Sequence, residues 1–220
     1  MSGTANISTL NELNLTWVTT PPVFEVASSN LVARFQVLMF TLRGWMTEVG
    51  TTGLLDEDIC ASDKRSPKRT RQELWNSRIS STTRLLDLMD KSFEKPASDY
   101  YIAEYRLKGA AIGLIVAKRQ SPVYIEYLLT HPGSQGAGGI LIEHIIRKSI
   151  KEWGGHGNIE LDSLDEDSSF AYQALGFTMN EANCTGGGEM TLTPASSPTW
   201  KLVDGVYVLA KASVSERFIA

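Results

Sequence analysis

The chain has little cysteine: two residues, Cys60 and Cys184, among 220. They lie far apart and without a CxxC spacing, so they supply neither a structural zinc site nor a disulfide framework, and the cytoplasm is the expected location. Histidine is almost as scarce. His131, His144 and His156 show no ligand spacing, and no metal is expected. No apolar run reaches the roughly 18 residues that a membrane helix needs, and the first residues, MSGTANISTLNELN, have neither a basic nor an apolar signal segment. No membrane association is expected. An excess of positive charge is missing too, since 21 Lys and Arg stand against 25 Asp and Glu for a net charge of -4, which leaves no electrostatic footprint for nucleic acid. The basic run KRSPKRTR, Lys64–Arg71, reads as a solvated loop. With 42% hydrophobic residues the chain can bury a full core.

What is present alternates between two periods. Residues 1–14 are polar and read as a loose segment; Leu15–Val26 offers a short strand broken by Pro21 and Pro22. Asn30–Glu48 repeats apolar residues at helical spacing behind an Asn cap, and Ser66-Pro67 can start a second helix over Lys68–Ser92. Strands follow in DYYIAEYRLKG, in AAIGLIVAKR and in VYIEYLLT, Val123–Thr130. After them come a glycine segment, a long amphipathic helix, a strand in NIELDS, a short helix in DEDSSFAYQALGF, and strands in GFTMN and EMTLTP. WKLVDGVYVLAKAS closes the series as a hairpin about Asp204-Gly205. This order predicts an α/β fold of the α+β type, a mixed sheet with helices on both faces, spanning 15–194 with a hairpin extension over 195–220. The hairpin can cover a cleft or pair with a second subunit as a homodimer.

The glycine segment is the most informative stretch. GSQGAGG, Gly133–Gly139, joins a central strand to a helix start, where α/β sheets bind ligands. The first N–H groups of a helix have no intrahelical acceptor and carry partial positive charge, and glycines let an anion such as a diphosphate come close. A P-loop is excluded because no lysine follows at the required distance. A dinucleotide fingerprint fits poorly, since Gly136 and Gly138 are followed by Ile140 and Leu141. A plain flexible turn remains the competing reading.

Three motifs together resemble the GNAT acetyltransferase superfamily. GSQGAGGILIEH is similar to its acyl-CoA loop, R/Q-x-x-G-x-G/A, with Gly136 and Gly138 on the glycines, Leu141 and Ile142 on the aliphatic pair, and Gly133 where the family has Arg or Gln. AYQALGF resembles the family's fYeklGF, with Tyr172 and Gly176 in place. IEYLLTHP is similar to IEDLyVdP on the preceding strand. The resemblance implies a mostly antiparallel sheet flanked by helices and an N-acetyltransferase that uses acetyl-CoA without a metal. It implies CoA contacts from Leu128, Leu129, Thr130, Gly133, Ser134, Gln135, Gly136, Ala137, Gly138 and Gly139, and from Asp165 where the family has Asn. It also implies Glu126 as general base, Tyr172 as general acid, and a small-molecule or peptide amine as acceptor.

The residue types suit that chemistry on their own terms. An amine with a lysine-like pKa of about 10.4 must lose a proton before it attacks a thioester, and a positioned carboxylate can take it. Period-two alternation puts Glu126 on one strand face with Tyr124 and Leu128. A phenol can serve the departing thiolate. The plain alternatives are a structural Glu126 in a hydrogen-bond network, a core Tyr172, and an acyl-CoA-binding module of the same fold without catalysis. On the long helix, Ile142, Ile145, Ile146, Ile150 and Trp153 read as core and Arg147, Lys148 and Lys151 as a solvated face.

Overall fold

The computed structural model describes residues 23–25, 80–85, 88, 100–107, 110–130 and 136–210. The helix expected over Asn30–Glu48 lies outside them; of the one expected over Lys68–Ser92, residues 80–85 and 88 are helical. The strands are β1 (Val23–Glu25), β2 (Tyr100–Leu107), β3 (Ala110–Lys118), β4 (Val123–Thr130), β5 (Ile159–Ser163), β6 (Thr178–Ala182), β7 (Gly188–Leu192), β8 (Trp200–Val203) and β9 (Val206–Leu209). Among the described residues, the α-helices with both ends described are α1 (Ala137–Glu152) and α2 (Glu166–Ala174). Hydrogen bonding orders one sheet β1-β2-β3-β4-β5-β7-β6 and a second, two-stranded one β8-β9. The mixed sheet expected from the element order is present: β1–β2, β5–β7 and β6–β7 pair antiparallel, and β4–β5 pairs parallel.

The chain divides into two compact units, one of Met1–Ile59, Arg69–Val116 and Tyr127–Leu141, the other of Cys60–Lys68, Ala117–Glu126 and Ile142–Ala220. In the first, the residues from Tyr100 to Tyr105 and from Leu114 to Val116 are buried without alternation, as in strands covered on both faces. That is why their sequence reads as a nearly continuous apolar run. Leu129 and the helical Leu141 are buried there as well. Gly113 makes room for Leu141, because a Cβ on Gly113 would stand 2.9 Å from Leu141 Cδ1 and 3.4 Å from Tyr105 Cβ.

The second unit begins with the parallel step. Val123–Ile125 of β4 pair with Ile159–Leu161 of β5, and a parallel pair needs a long crossover, which α1 supplies. Ile142, Ile145 and Ile146 are fully buried on α1, whereas Ile150 and Trp153 are only half-buried and Ser149 takes a buried place. Arg147 and Lys151 are exposed as expected; Lys148 is largely covered and pairs with Glu152.

α2 ends in a Schellman motif. Gly176 has φ +92°, its N–H donates to Gln173 O at 2.9 Å, and Phe177 N–H donates to Tyr172 O at 3.1 Å. The helix-end carbonyl of Leu175 accepts from Trp200 Nε1 at 2.8 Å, and Leu209 N–H of β9 donates to Glu143 Oε2 of α1 at 3.1 Å. These bonds seat the hairpin β8–β9, whose turn has Asp204 at φ +50° and Gly205 at φ +74°, the pair of positive values a type I′ turn requires.

Replacing Gly113 with Ala is expected to destabilise the protein by roughly 1–3 kcal/mol, because the buried Leu141 must move to admit a methyl group. A lower urea midpoint at unchanged m-value checks it.

Candidate functional site

Two groups of residues emerge, one in each unit. In the first, the end of β4 meets the start of α1. Leu128 and Thr130 are half-buried and Leu129 is buried at the end of β4. A Cβ on Gly138 would lie 3.8 Å from both Leu128 Cδ2 and Thr130 Cγ2, an ordinary contact distance. Gly136 has φ +82°, and its carbonyl accepts from Ile140 N at 3.2 Å, so it precedes the helix as its cap. Ala137, Gly138 and Gly139 then stand in the first turn, where backbone N–H groups have no intrahelical acceptor, and that turn contains no acidic side chain. Gly133, Ser134 and Gln135 lie outside the described residues.

The two glycines differ in their reasons. At Gly136 the backbone conformation itself requires glycine. At Gly138 it does not: the φ is not in the left-handed region, and among the described residues a methyl group would meet only Leu128 and Thr130 at ordinary contact distance. A glycine there costs helix stability without serving packing against the described residues.

Along β4 the expected alternation holds. Val123, Ile125, Tyr127 and Leu129 are buried while Tyr124, Glu126, Leu128 and Thr130 share the more open face. In the second unit, Glu126 is not alone on that face. Its Oε2 lies 3.1 Å from Lys118 Nζ, with the two side chains 16% and 35% exposed, and the same ammonium stands 4.9 Å above the Tyr124 ring. Tyr124 donates its hydroxyl to Asp162 Oδ2 at 2.9 Å. Burial first, then that hydrogen bond and the charges of Asp162, Glu126 and Glu189, hold the Tyr124 phenol well above its usual range. Sequence reasoning missed Lys118 and Asp162, because the register between neighbouring strands brings them beside Glu126 and Tyr124.

Tyr172 sits on the last turn of α2 with its ring edge-on to Phe177 at 5.5 Å. Burial, and to a lesser extent the Asp165 carboxylate, push its phenol well above the usual value, so it keeps its proton and can donate a hydrogen bond. Its spacing to Gly176 has a local cause as well, since the two are the C3 and C′ positions of the Schellman motif. Asp165 caps α2: its Oδ1 accepts from Ser168 N at 2.9 Å, and the Ser168 hydroxyl accepts from Asp165 N in return. That carboxylate is committed to the helix end. Among the described residues no group of three or more His, Cys, Asp or Glu is gathered to hold a metal ion, and no helix is long and apolar enough to cross a membrane.

No family model matches the chain, and no curated protein matches it. Among solved structures it is similar to an acetyltransferase from Thermus thermophilus, at 13% identity over 80% of this chain and 99% of that one with a TM-score of 0.44. The N-acetyltransferase PaiA from Thermoplasma acidophilum, in complex with coenzyme A, is similar at 16% identity over 79% and 98%, with a TM-score of 0.42. The GNAT domain of S. lividans PAT is similar at 11% identity over 79% and 90%, with a TM-score of 0.41. The first two are acetyltransferases by name, and the third is named as a GNAT domain. At these scores the likeness assigns neither a substrate nor the role of any residue.

The raised tyrosines have a consequence for stability. Below about pH 10 folded and unfolded chains both hold the phenolic proton; above it the unfolded chain releases the proton while the folded one retains it, so stability falls as pH rises. Tyr172→Phe is expected to make that fall shallower, by up to about 1.4 kcal/mol per pH unit. Urea unfolding midpoints between about pH 9 and 11 check it; an unchanged slope refutes it.

Proposed function

We propose that the protein is an acyl-CoA-dependent N-acyltransferase that moves an acetyl group to a primary amine. The observation that carries this reading is Gly138: at a helix start whose N–H groups have no intrahelical acceptor, it leaves out a side chain that would make only ordinary contacts with the described residues. A ligand passing close to the backbone gives that omission a reason, and a diphosphate is the anion that the helix N-terminus favours. The motif order quoted from the sequence supports the same reading. Leu128, Leu129, Thr130 and Gly133 through Gly139 are the proposed CoA contacts. Asp165, bound into its own helix cap, enters only through its main chain.

Each catalytic role follows from the side chain's chemistry. Glu126 takes the proton from the acceptor ammonium, directly or through a water, and the amine nitrogen then attacks the thioester carbonyl. As the tetrahedral intermediate collapses the C–S bond breaks, the sulfur leaves as a thiolate, and the nitrogen gives up its second proton to that sulfur or to water. Tyr172 donates a hydrogen bond to the thiolate; with a pKa held above that of an ordinary phenol, it is a poorer proton donor than a free tyrosine and acts by hydrogen bonding rather than by full transfer.

One observation favours a second reading, an acyl-CoA-binding module without catalysis. The Asp165 carboxylate serves the N-cap of α2, and the Tyr172 carbonyl serves its C-cap, so both positions also have a structural role in that helix.

Gly138→Ala separates ligand from packing. It is expected to keep or raise stability by about 0.5–1 kcal/mol while weakening CoA binding, read as the melting-temperature shift on adding CoA. Unchanged CoA binding overturns the assignment. Glu126→Gln is expected to lower kcat by roughly 100- to 10,000-fold in a free-thiol assay over a panel of primary amines. Thiol release from no amine, with CoA still bound, supports the non-catalytic module.

A further inference from the structure

We infer that Lys118 is the positioning residue of Glu126, holding the carboxylate in the place from which it receives the acceptor's proton. The inference rests on the reading of Glu126 as base. An exposed Lys–Glu pair ordinarily contributes little, because two long side chains lose freedom for a screened attraction. Lys118 differs from such a pair in how many groups fix it. Its ammonium meets Glu126 Oε2 at 3.1 Å and the face of Tyr124 at 4.9 Å, two residues of β4 on the same face separated by one position. Tyr124 is itself tied to β5 through its 2.9 Å hydrogen bond to Asp162. The lysine is thereby set by strand geometry, and the carboxylate it holds is only 16% exposed.

The charges around it point the same way. Asp162 and Glu189, directly paired on β5 and β7, face Tyr124 along with Glu126. Among these carboxylates the Lys118 ammonium is an opposite charge set directly against Glu126. A general base a fraction of an ångström out of line loses rate without losing substrate affinity. Lys118 therefore acts on the proton-transfer step through Glu126 and touches neither acceptor nor thioester.

The test uses the full chain, acetyl-CoA, and whichever of spermidine, tyramine or a lysine peptide turns over. Lys118→Met is expected to lower kcat by between about 10- and 100-fold while leaving the KM for acetyl-CoA and the CoA-induced melting shift unchanged. Lys118→Arg, which keeps the cation, is expected to restore most of kcat, and Lys118→Gln serves as the neutral variant if the Met form does not fold. In a Glu126→Gln background, Lys118→Met is expected to add no further loss. If Glu126→Gln lowers kcat and Lys118→Met does not, or if the two losses add, the positioning role is overturned and the base remains. If Glu126→Gln leaves turnover unchanged, the base reading falls and this inference falls with it.

Discussion

The N–H groups of a helix's first turn have no partner inside the helix, and something outside it must take them. In α1 the first turn offers Ala137, Gly138 and Gly139 behind a cap glycine of positive φ, with no acidic side chain in the turn. Around this helix start the local sequence falls into order. Gly136 turns the chain into the helix, Leu141 fills the space over Gly113, and the side chains of Leu128 and Thr130 lie where a Cβ on Gly138 would touch them. A helix meant only to pack would have alanine at Gly138, which the described residues leave room for and which has the better helix propensity.

The second unit solves a different problem, that of a short helix between two strands. α2 is closed at both ends by its own residues and their neighbours: Asp165 and Ser168 at the start, the Schellman bonds of Gly176 and Phe177 at the end, and the indole of Trp200 on the Leu175 carbonyl. A Cβ on Gly176 would run into Ser197 Oγ, so the glycine is demanded by the hairpin's approach as well as by its φ. Tyr172 is consequently held in one place by local structure. A rigid donor is what a departing thiolate needs, and it is also what a well-made helix end produces without any catalytic purpose.

The polar face of β4 and β5 stands apart from both. Lys118, Tyr124, Glu126 and Asp162 meet across three neighbouring strands, β3, β4 and β5, with a cation, two carboxylates and a phenol whose ring and hydroxyl both take part. Such a network has more influence on where a carboxylate points than on how stable the protein is, because each exposed pair contributes little while their combined geometry restricts the side chains.

Much of this was legible before any fold was known, wherever the information is local. Period-two alternation put Glu126, Tyr124 and Leu128 on one face, and the structure agrees residue by residue. Val123–Thr130 was bounded correctly, the Asp204-Gly205 turn followed from the φ values that only such residues adopt readily, and the glycines ahead of α1 marked a helix start. The long helix was recognisable too, although Ile150 and Trp153 are less covered than their spacing implied. The order β5-β7-β6, the pairing of Lys118 with Glu126 and the bond from Tyr124 to Asp162 were not legible. Residue type, period and turn chemistry are properties of a few consecutive residues and survive in the sequence; which strand lies beside which, and at what register, depends on contacts between residues far apart along the chain, and only the folded structure brings those together.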